Sequence, residues 1–364
     1  MISNSKSLGA IFLLFLIFFA SSRYFQIIMF DRDLSNTFFH RLNEKRNVCD
    51  PDPESILGHY KKTNKRVLFI MLDSYPQESL YKKLVGYESK LHNFLRENSS
   101  EYIETSTPVP YTYKSLPYLL GKVNINEKCR FPFLSGYLKP NLILGSRWMA
   151  TSESICKFQI KEENFFLRIN QFIKSKRAIE QKSKWGINSD ECYLSSKDSI
   201  NRIKTKMEDE RSNKRNISFI AESKFHDVIS PKLNNKPSDL KLIPLYDEVY
   251  LLNLKRILNI IFKHNLVDEI IVMNDHGPRT EIFGELVKDE KVSRINLNKV
   301  KKKLELNSFF DKDFYGVFIA KFDLNTNKNK SLNKYSNNNF LKKFIPNNKK
   351  RYFVDLKGDP ILIK

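Results

Sequence analysis

The sequence predicts an α/β fold with a mainly parallel central sheet and helices on both of its faces. Short continuous apolar runs recur along the chain, separated by longer segments in which apolar residues have helical spacing. Apolar runs without polar alternation are typical of strands that are buried on both faces, as in parallel sheets. Strands that alternate with helices favour parallel strand pairs connected through those helices. At 364 residues, the chain is long enough for one large domain or two small ones.

The first predicted strand is the run from Arg66 to Leu72, which ends at the carboxylate of Asp73. Residues 78–98 have the apolar spacing of one amphipathic helix. The run 107–112 is predicted to be extended, because its two prolines fix their own φ and restrain the residue before each of them.

The remaining elements follow from the same patterns. Short strands are predicted at 102–105, 141–144, 217–221, 268–273 and 314–322, with a last strand within 353–364. Helices are predicted at 113–120, 165–180, 190–207 and 246–264. Residues 324–350 are rich in Asn and Lys and are predicted to form a loose surface segment.

The first thirty residues predict a signal anchor or a signal peptide. The run 8–22 is almost wholly apolar, which suits the core of a signal peptide cleaved near residues 20–22. A second apolar patch at 24–30 follows Arg23 and suits an uncleaved membrane helix equally well. The predicted organisation is an anchor or signal at 1–30, a linker at 31–63, a catalytic domain at 64–325 and an Asn/Lys-rich segment at 326–364.

The composition points to an anionic partner. The formal net charge is +21, which suits phospholipid head groups, a phosphorylated or sulfated glycan, or nucleic acid. The basic residues are spread along the chain without a zinc-finger, RNP or basic-zipper pattern, so no nucleic acid is expected. The four cysteines form no CxxC pair, which argues against a zinc knuckle and leaves disulfides and reduced thiols both open.

Polar residues follow three of the predicted strands. Asp73 follows the first, His226 lies near the end of another, and Asp275 and His276 follow a third. Ligands collect at the carboxyl edge of open α/β sheets, so these residues are expected to lie close together. Thr112 lies at a predicted helix start, where it could instead be an N-cap in competition with Ser115. Carboxylate, imidazole and hydroxyl groups suit one divalent cation, Zn²⁺ or Mn²⁺, and a hydroxyl on such a cation becomes a nucleophile.

These residues lie in segments that resemble the sulfatase-like branch of the alkaline phosphatase superfamily. That branch includes lipoteichoic acid synthases and phosphoethanolamine or phosphoglycerol transferases. The resemblance covers roughly residues 64–325. Its matching pieces, in chain order, are VLFIMLDS (67–74), TPVPYTYKSLPYLLG (107–121), WGINSDE (185–191), ISFIAESKFH (217–226) and VDEIIVMNDHG (267–277).

The resemblance implies a role for each matching residue. Asp73, Asp275 and His276 would be metal ligands. Thr112 would be both the fourth ligand and the nucleophile that forms a covalent phosphothreonine. His226 would help to bind the phosphate or the leaving group of the substrate.

Two further residues are predicted to flank the site. Lys114 and Arg279 are candidates for holding an anionic group of the substrate, with a surface position as the alternative for both.

The chain departs from the family pattern in two ways. Formylglycine sulfatases need Cys or Ser followed by x-Pro-x-Arg, whereas this chain has Thr112, which cannot be converted to formylglycine. A sulfuric ester hydrolase is therefore the less favoured alternative. The chain has six histidines and none after His276, which favours one metal over two.

The sequence therefore predicts a membrane-anchored, metal-dependent phosphotransferase or phosphodiesterase that acts on an anionic lipid or glycan. The cysteines and the resemblance favour an external catalytic domain, although the basic residues after the apolar run favour a cytoplasmic one. A non-catalytic binding or assembly protein in envelope glycan biosynthesis is the other alternative.

Overall fold

A computed structural model describes the central part of the chain and some of its flanking segments. The described residues are 51–63, 65–127, 141–144, 203–205, 207–208, 216–222, 225, 240–280, 302, 308–324, 339–346, 349–354 and 360–363. The predicted membrane segment, His226 and all four cysteines lie outside these residues. Within them, no helix combines the length and the apolar character needed to cross a membrane.

The chain divides into two units. The larger unit is Asn47–Tyr352 with Leu362–Lys364, and it contains the main sheet and the helices around it. The smaller unit is Met1–Arg46 with Phe353–Ile361, of which only four residues are described.

Within the described part of the chain, the main sheet has six strands in the order β2-β6-β5-β1-β4-β3. They are β1 Val67–Leu72, β2 Glu101–Ser106, β3 Asn141–Leu144, β4 Ile217–Glu222, β5 Glu269–Met273 and β6 Gly316–Asp323. β1 is parallel to β4 on one side and to β5 on the other, and β3 is parallel to β4. β6 is antiparallel to both of its neighbours, so the sheet is mixed. A separate two-stranded sheet consists of β7 Tyr352–Val354 and β8 Pro360–Leu362.

The direction of β6 follows from where it begins. A helix ends at Tyr315, and β6 starts at the next residue. The carbonyl of Phe314 in that helix accepts a hydrogen bond from the amide of Gly277, just beyond the carboxyl end of β5. A strand that starts beside the end of its neighbour must run back along it, so β6 is antiparallel to β5.

Helices cover both faces of the sheet, as predicted. Their bounds are α1 Ile56–Lys62, α2 Glu78–Val85, α3 Lys90–Asn98, α4 Thr112–Gly121, α5 Ile243–His264, α6 Ser308–Tyr315 and α7 Phe340–Phe344, with a 3₁₀ turn at Leu240–Leu242. Alternate side chains of β1 point to opposite faces. Leu68 and Ile70 pack in the core formed with α2, α3 and α5, and Val67 and Phe69 pack in the core formed with α1, α4 and α7.

Some element bounds differ from those predicted. The single helix expected at 78–98 is two helices, because Gly86 adopts a left-handed conformation that ends α2 and the Ser89 hydroxyl caps α3. α1 lies within the range 31–63 that was predicted to be a linker, and its apolar side chains are buried. The strand expected at 314–322 begins at Gly316, because Phe314 and Tyr315 complete α6.

Candidate metal centre

Three buried side chains meet at the carboxyl edge of the sheet. β1 and β5 are adjacent and parallel with Met71 opposite Met273, so Asp73 and Asp275 both lie two residues beyond this pair. Asp73, Asp275 and His276 are almost completely buried, and each offers one ligand atom within 4.8 Å of the others. The strand order therefore brings these three predicted ligands together, although they are distant in sequence.

The ring nitrogen Nε2 of His276 is the point on which the other groups converge. It lies 3.3 Å from Asp275 Oδ2, 3.9 Å from Asp73 Oδ1 and 3.5 Å from the hydroxyl oxygen of Thr112. Two carboxylate oxygens, one imidazole nitrogen and one hydroxyl thus surround a common volume. This is a mixed oxygen and nitrogen donor set of the kind that Zn²⁺ and Mn²⁺ accept.

The other ring nitrogen fixes the tautomer of His276. Nδ1 lies 2.8 Å from the carbonyl oxygen of Gly277. A carbonyl oxygen only accepts hydrogen bonds, so Nδ1 carries a proton, and in the neutral ring the lone pair is on Nε2, the nitrogen that faces the carboxylates. A backbone carbonyl is one of the common partners of the second nitrogen in a histidine that binds a metal.

The same geometry argues against a metal-free hydrolase triad. In a Ser-His-Asp triad the hydroxyl and the carboxylate bond to different ring nitrogens, so that the ring can pass a proton between them. Here Thr112 and Asp275 both approach Nε2 of His276. The groups are therefore arranged around one point, as ligands are.

One carboxylate oxygen supports the same interpretation. Among the described residues, Asp275 Oδ2 is buried without a hydrogen-bond partner, although it lies 3.3 Å from Nε2 of His276. An unsatisfied buried acceptor is costly. A cation bound between this oxygen and Nε2 would remove that penalty, so the donor set fits a divalent metal.

Thr112 enters the site as the first residue of α4. The preceding residue, Tyr111, is the N-cap and makes no side-chain capping bond. A cap at Thr112 is therefore wrong. A cap at Ser115 is also wrong, because Ser115 is buried in the first turn and Pro117 is inside the helix. Because it is not used as a cap, the hydroxyl of Thr112 can face His276.

Asn274 holds the turn that carries two of the candidate ligands, Asp275 and His276. Its Nδ2 group lies within hydrogen-bond distance of three carbonyl oxygens, those of Tyr75, His276 and Gly316, at 2.8, 2.8 and 3.0 Å. Its Oδ1 atom accepts a hydrogen bond from the amide of Phe318 at 2.7 Å. One buried side chain thereby links the turn after β1, the turn after β5 and the start of β6.

Gly277 is required by a close backbone approach. A Cβ atom at this position would lie 2.3 Å from the carbonyl oxygen of Asp313 in α6. Any side chain at position 277 would push this turn away from α6. The shift would also move His276, which is the preceding residue.

The predicted substrate-binding residues have different surroundings. The ammonium group of Lys114 donates hydrogen bonds to the carbonyl oxygens of Ile125 and Glu127, at 2.7 and 2.8 Å. Arg279 donates to the carbonyl oxygen of Pro110 at 3.2 Å, and its guanidinium lies 5.7 Å from the ring centre of Tyr111. Arg279 is therefore beside the residue that precedes Thr112.

Sequence reasoning missed three residues at this edge. Ser74 and Asn274 flank the predicted ligands, but nothing in their spacing signals a role. Glu222 is the last residue of β4, one position beyond the predicted strand, and its carbonyl oxygen accepts a hydrogen bond from the amide of Asp73 at 2.8 Å. Its buried carboxylate is close enough to Tyr250 that, after burial itself, it contributes to raising the pKa of that phenol. The sequence signal that could have identified Glu222 is a carboxylate that directly follows an apolar run.

Comparison with known proteins finds loosely similar solved structures. No protein-family model matches the chain, and no curated protein matches it. Among solved structures, the lipoteichoic acid synthase LtaP from Listeria monocytogenes is similar, with 9% sequence identity over 86% of this chain and 73% of that chain and a TM-score of 0.32.

Proposed function

We propose that this chain is a metal-dependent phosphotransferase or phosphodiesterase in which Thr112 is the nucleophile. The observation that carries the proposal is the convergence of Thr112 Oγ1, Asp73, Asp275 and His276 at one carboxyl edge of the sheet. A donor set of this kind suits a metal, and the hydroxyl beside it lies at a helix start.

Each residue of the site has its own role in the proposed reaction. Asp73, Asp275 and His276 would hold Zn²⁺ or Mn²⁺. Such an ion lowers the pKa of an adjacent hydroxyl and neutralises charge on phosphoryl oxygens. Thr112 Oγ1 forms the bond to phosphorus, and the bond from phosphorus to the leaving oxygen breaks. The leaving oxygen takes up the proton that Thr112 gives up.

The second half of the reaction restores Thr112. Water or an acceptor hydroxyl attacks the same phosphorus, its proton passes to Thr112 Oγ1, and the bond between phosphorus and Oγ1 breaks. The first amides of α4 have no partner within the helix, so they support the binding of phosphoryl oxygens at its start. Arg279, beside Tyr111, supports the binding of an anionic group next to the nucleophile.

The proposed substrate is an anionic lipid or glycan. The net charge of +21 would draw anionic molecules to the protein, in a way that weakens as salt is added. The apolar run at 8–22 supports a membrane-anchored enzyme, for which we propose an external catalytic domain.

Metal content is the first test. The full-length chain, purified in a mild detergent, is loaded with Zn²⁺ or Mn²⁺, dialysed and measured by mass spectrometry of the elements. About one ion per chain is expected, and Asp73→Asn and Asp275→Asn should each lose most of it because each removes a charged ligand. Asp52→Asn is the control, because Asp52 is an exposed carboxylate away from the site. Wild-type protein without bound metal would overturn the proposal.

Trapping the covalent intermediate is the second part of this test. Metal-loaded protein is incubated with an anionic glycerophospholipid labelled at phosphorus, quenched in acid and digested for peptide mapping. Label is expected on Thr112, should be absent in Thr112→Ala, and should remain in Ser115→Ala. Label on Ser115, or no label from a panel of phosphodiester lipids and phosphorylated glycans, would overturn the nucleophile assignment.

A further inference from the structure

We propose that Ser74 is a positioning residue that aligns all three metal ligands at once. The inference rests on the proposed function, because it concerns the same metal centre. Ser74 is fully buried, lies directly after Asp73 and has no role in the chemistry proposed for the site.

Ser74 makes a polar contact with each ligand. Its hydroxyl donates a hydrogen bond to Asp73 Oδ1 at 3.0 Å. The hydroxyl oxygen of Ser74 also lies 3.3 Å from Nδ1 of His276. Its backbone amide donates to Asp275 Oδ1 at 3.3 Å. One residue thus touches both carboxylates and the imidazole.

The directions of these hydrogen bonds are mutually consistent. Nδ1 of His276 carries a proton because it donates to the carbonyl of Gly277, so the oxygen of Ser74 can accept from it and give its own proton to Asp73. This chain of donors leaves Nε2 as the ring nitrogen that faces Thr112. The amide of Ser74 holds Oδ1 of Asp275, so that Oδ2 is the oxygen that faces the imidazole.

The backbone of Ser74 makes these contacts possible. Its φ is +61°, in the left-handed region that residues with a side chain seldom adopt. The chain leaves the sheet here, and the turn is fixed by the hydrogen bond from the Tyr75 amide to the Leu72 carbonyl and by Asn274 on the Tyr75 carbonyl. Glycine would adopt this φ more easily, so the hydroxyl contacts account for serine at a position that costs backbone strain.

Positioning of this kind should appear in metal affinity. Outer partners that hold a ligand in place typically change metal affinity by about 10- to 100-fold when they are removed. Ser74→Gly separates positioning from folding, because it removes the hydroxyl, keeps the amide and relaxes the backbone.

The experiment measures Zn²⁺ and Mn²⁺ affinity by chelator competition, and the thermal midpoint of the metal-free protein, for full-length wild type, Ser74→Gly and Ser74→Ala. Metal affinity should fall by about 10- to 100-fold in both variants. The metal-free midpoint of Ser74→Gly should be equal to or above that of wild type. Asn265→Gly is the matched control, because it relaxes another positive φ, at the end of α5, and should leave metal affinity unchanged.

Two results would overturn the inference alone. The first is wild-type metal affinity in Ser74→Gly, which would show that the hydroxyl does not align the ligands. The second is weakened metal affinity in Ser74→Gly together with a lowered thermal midpoint of its metal-free form, which would show a general structural role. A wild-type chain that binds no metal would instead overturn the proposed function, and this inference with it.

Discussion

At the scale of single residues, His92 is held neutral inside the protein. Its Nε2 atom lies 2.8 Å from the carbonyl oxygen of Pro76, and its Nδ1 atom lies 3.0 Å from the hydroxyl of Tyr102. The carbonyl must accept, so Nε2 carries the proton and Nδ1 accepts from the tyrosine. Burial lowers the pKa of His92 to about 4. The turn after β1, which begins at the candidate metal ligand Asp73, therefore depends on a histidine that must stay uncharged.

This histidine predicts a loss of stability in acid. The pKa is 6.5 when the chain is unfolded and about 4 when it is folded, so between these pH values the unfolded state binds a proton that the folded state excludes. The contribution of His92 to stability is therefore fully present above pH 6.5 and is lost as the pH falls toward 4. This contribution is about 3 kcal/mol, because each unit of pKa difference corresponds to about 1.4 kcal/mol.

Urea unfolding of wild type and His92→Gln between pH 7 and pH 4.5 would measure this contribution. The glutamine amide can still donate to Pro76 but does not titrate. The difference in unfolding free energy between the two proteins should shrink as the pH falls. Parallel pH profiles would show that His92 is not responsible.

At the scale of elements, the start of α3 is fixed by a carboxylate from α5. Asp247 is buried and accepts hydrogen bonds from the backbone amides of Lys90 and Leu91, at 2.8 and 3.2 Å. It also accepts from the hydroxyls of Tyr75 and Ser89. Negative charge is favourable at a helix start, so this one side chain joins α3, α5 and the turn after β1.

Asp247→Asn should therefore destabilise the protein strongly. The NH₂ group of the new side chain would face backbone amides and hydroxyls that also donate hydrogen bonds. The negative charge at the start of α3 would be lost as well. A decrease of about 2–4 kcal/mol in the free energy of unfolding is expected, measured in urea by circular dichroism. Glu248→Gln is the control, since its exposed pair with Lys90 should contribute less than about 1 kcal/mol. Equal effects of the two changes would contradict this account.

The elements also show what could be predicted from sequence. The apolar spacing of α5 predicted a helix from 246, and the structure has it from Ile243 to His264. The break between α2 and α3 was missed because apolar residues keep their helical spacing across it, although Gly86 and Ser89 were local signals. The direction of β6 could not be predicted, because an apolar run has the same appearance in both directions.

The candidate site was predictable only in part, for a related reason. Asp73, Asp275 and His276 lie within three residues of the ends of apolar strands, so their meeting depends mainly on strand order. The contacts of Ser74 and Asn274 depend on a left-handed φ and on carbonyl groups from other segments. Such groups come together through tertiary structure and leave no local pattern.

At the scale of the whole molecule, the two ends of β1 and β5 carry different kinds of polar cluster. The amino end holds Glu269, which is buried and accepts a hydrogen bond from Tyr60. It also pairs with Lys65 at 2.5 Å and with the buried Lys321 at 3.4 Å. β5 has five residues, so roughly 16 Å separates this cluster from the candidate metal centre.

Glu269→Gln should therefore lower stability and leave metal binding unchanged. The change leaves Lys321 with Asp323 as its remaining carboxylate in this cluster, and a decrease of about 2–4 kcal/mol in unfolding free energy is expected. Urea unfolding and the metal-content measurement would be made on the same preparations, with the exposed Glu97→Gln as control. Loss of metal from folded Glu269→Gln protein would show that the two ends are not independent.

The separation of the candidate ligands along the chain has a consequence for how the protein is made. Ser74, beside the first ligand, and Asp275 are 201 residues apart. While the ribosome is still adding the residues between them, the nascent chain carries Asp73 without its partners. A growing chain therefore has no three-ligand set with which to capture a metal ion before β5 has been synthesised and has paired with β1. Loading with metal would then mark a chain in which β1 and β5 are already paired.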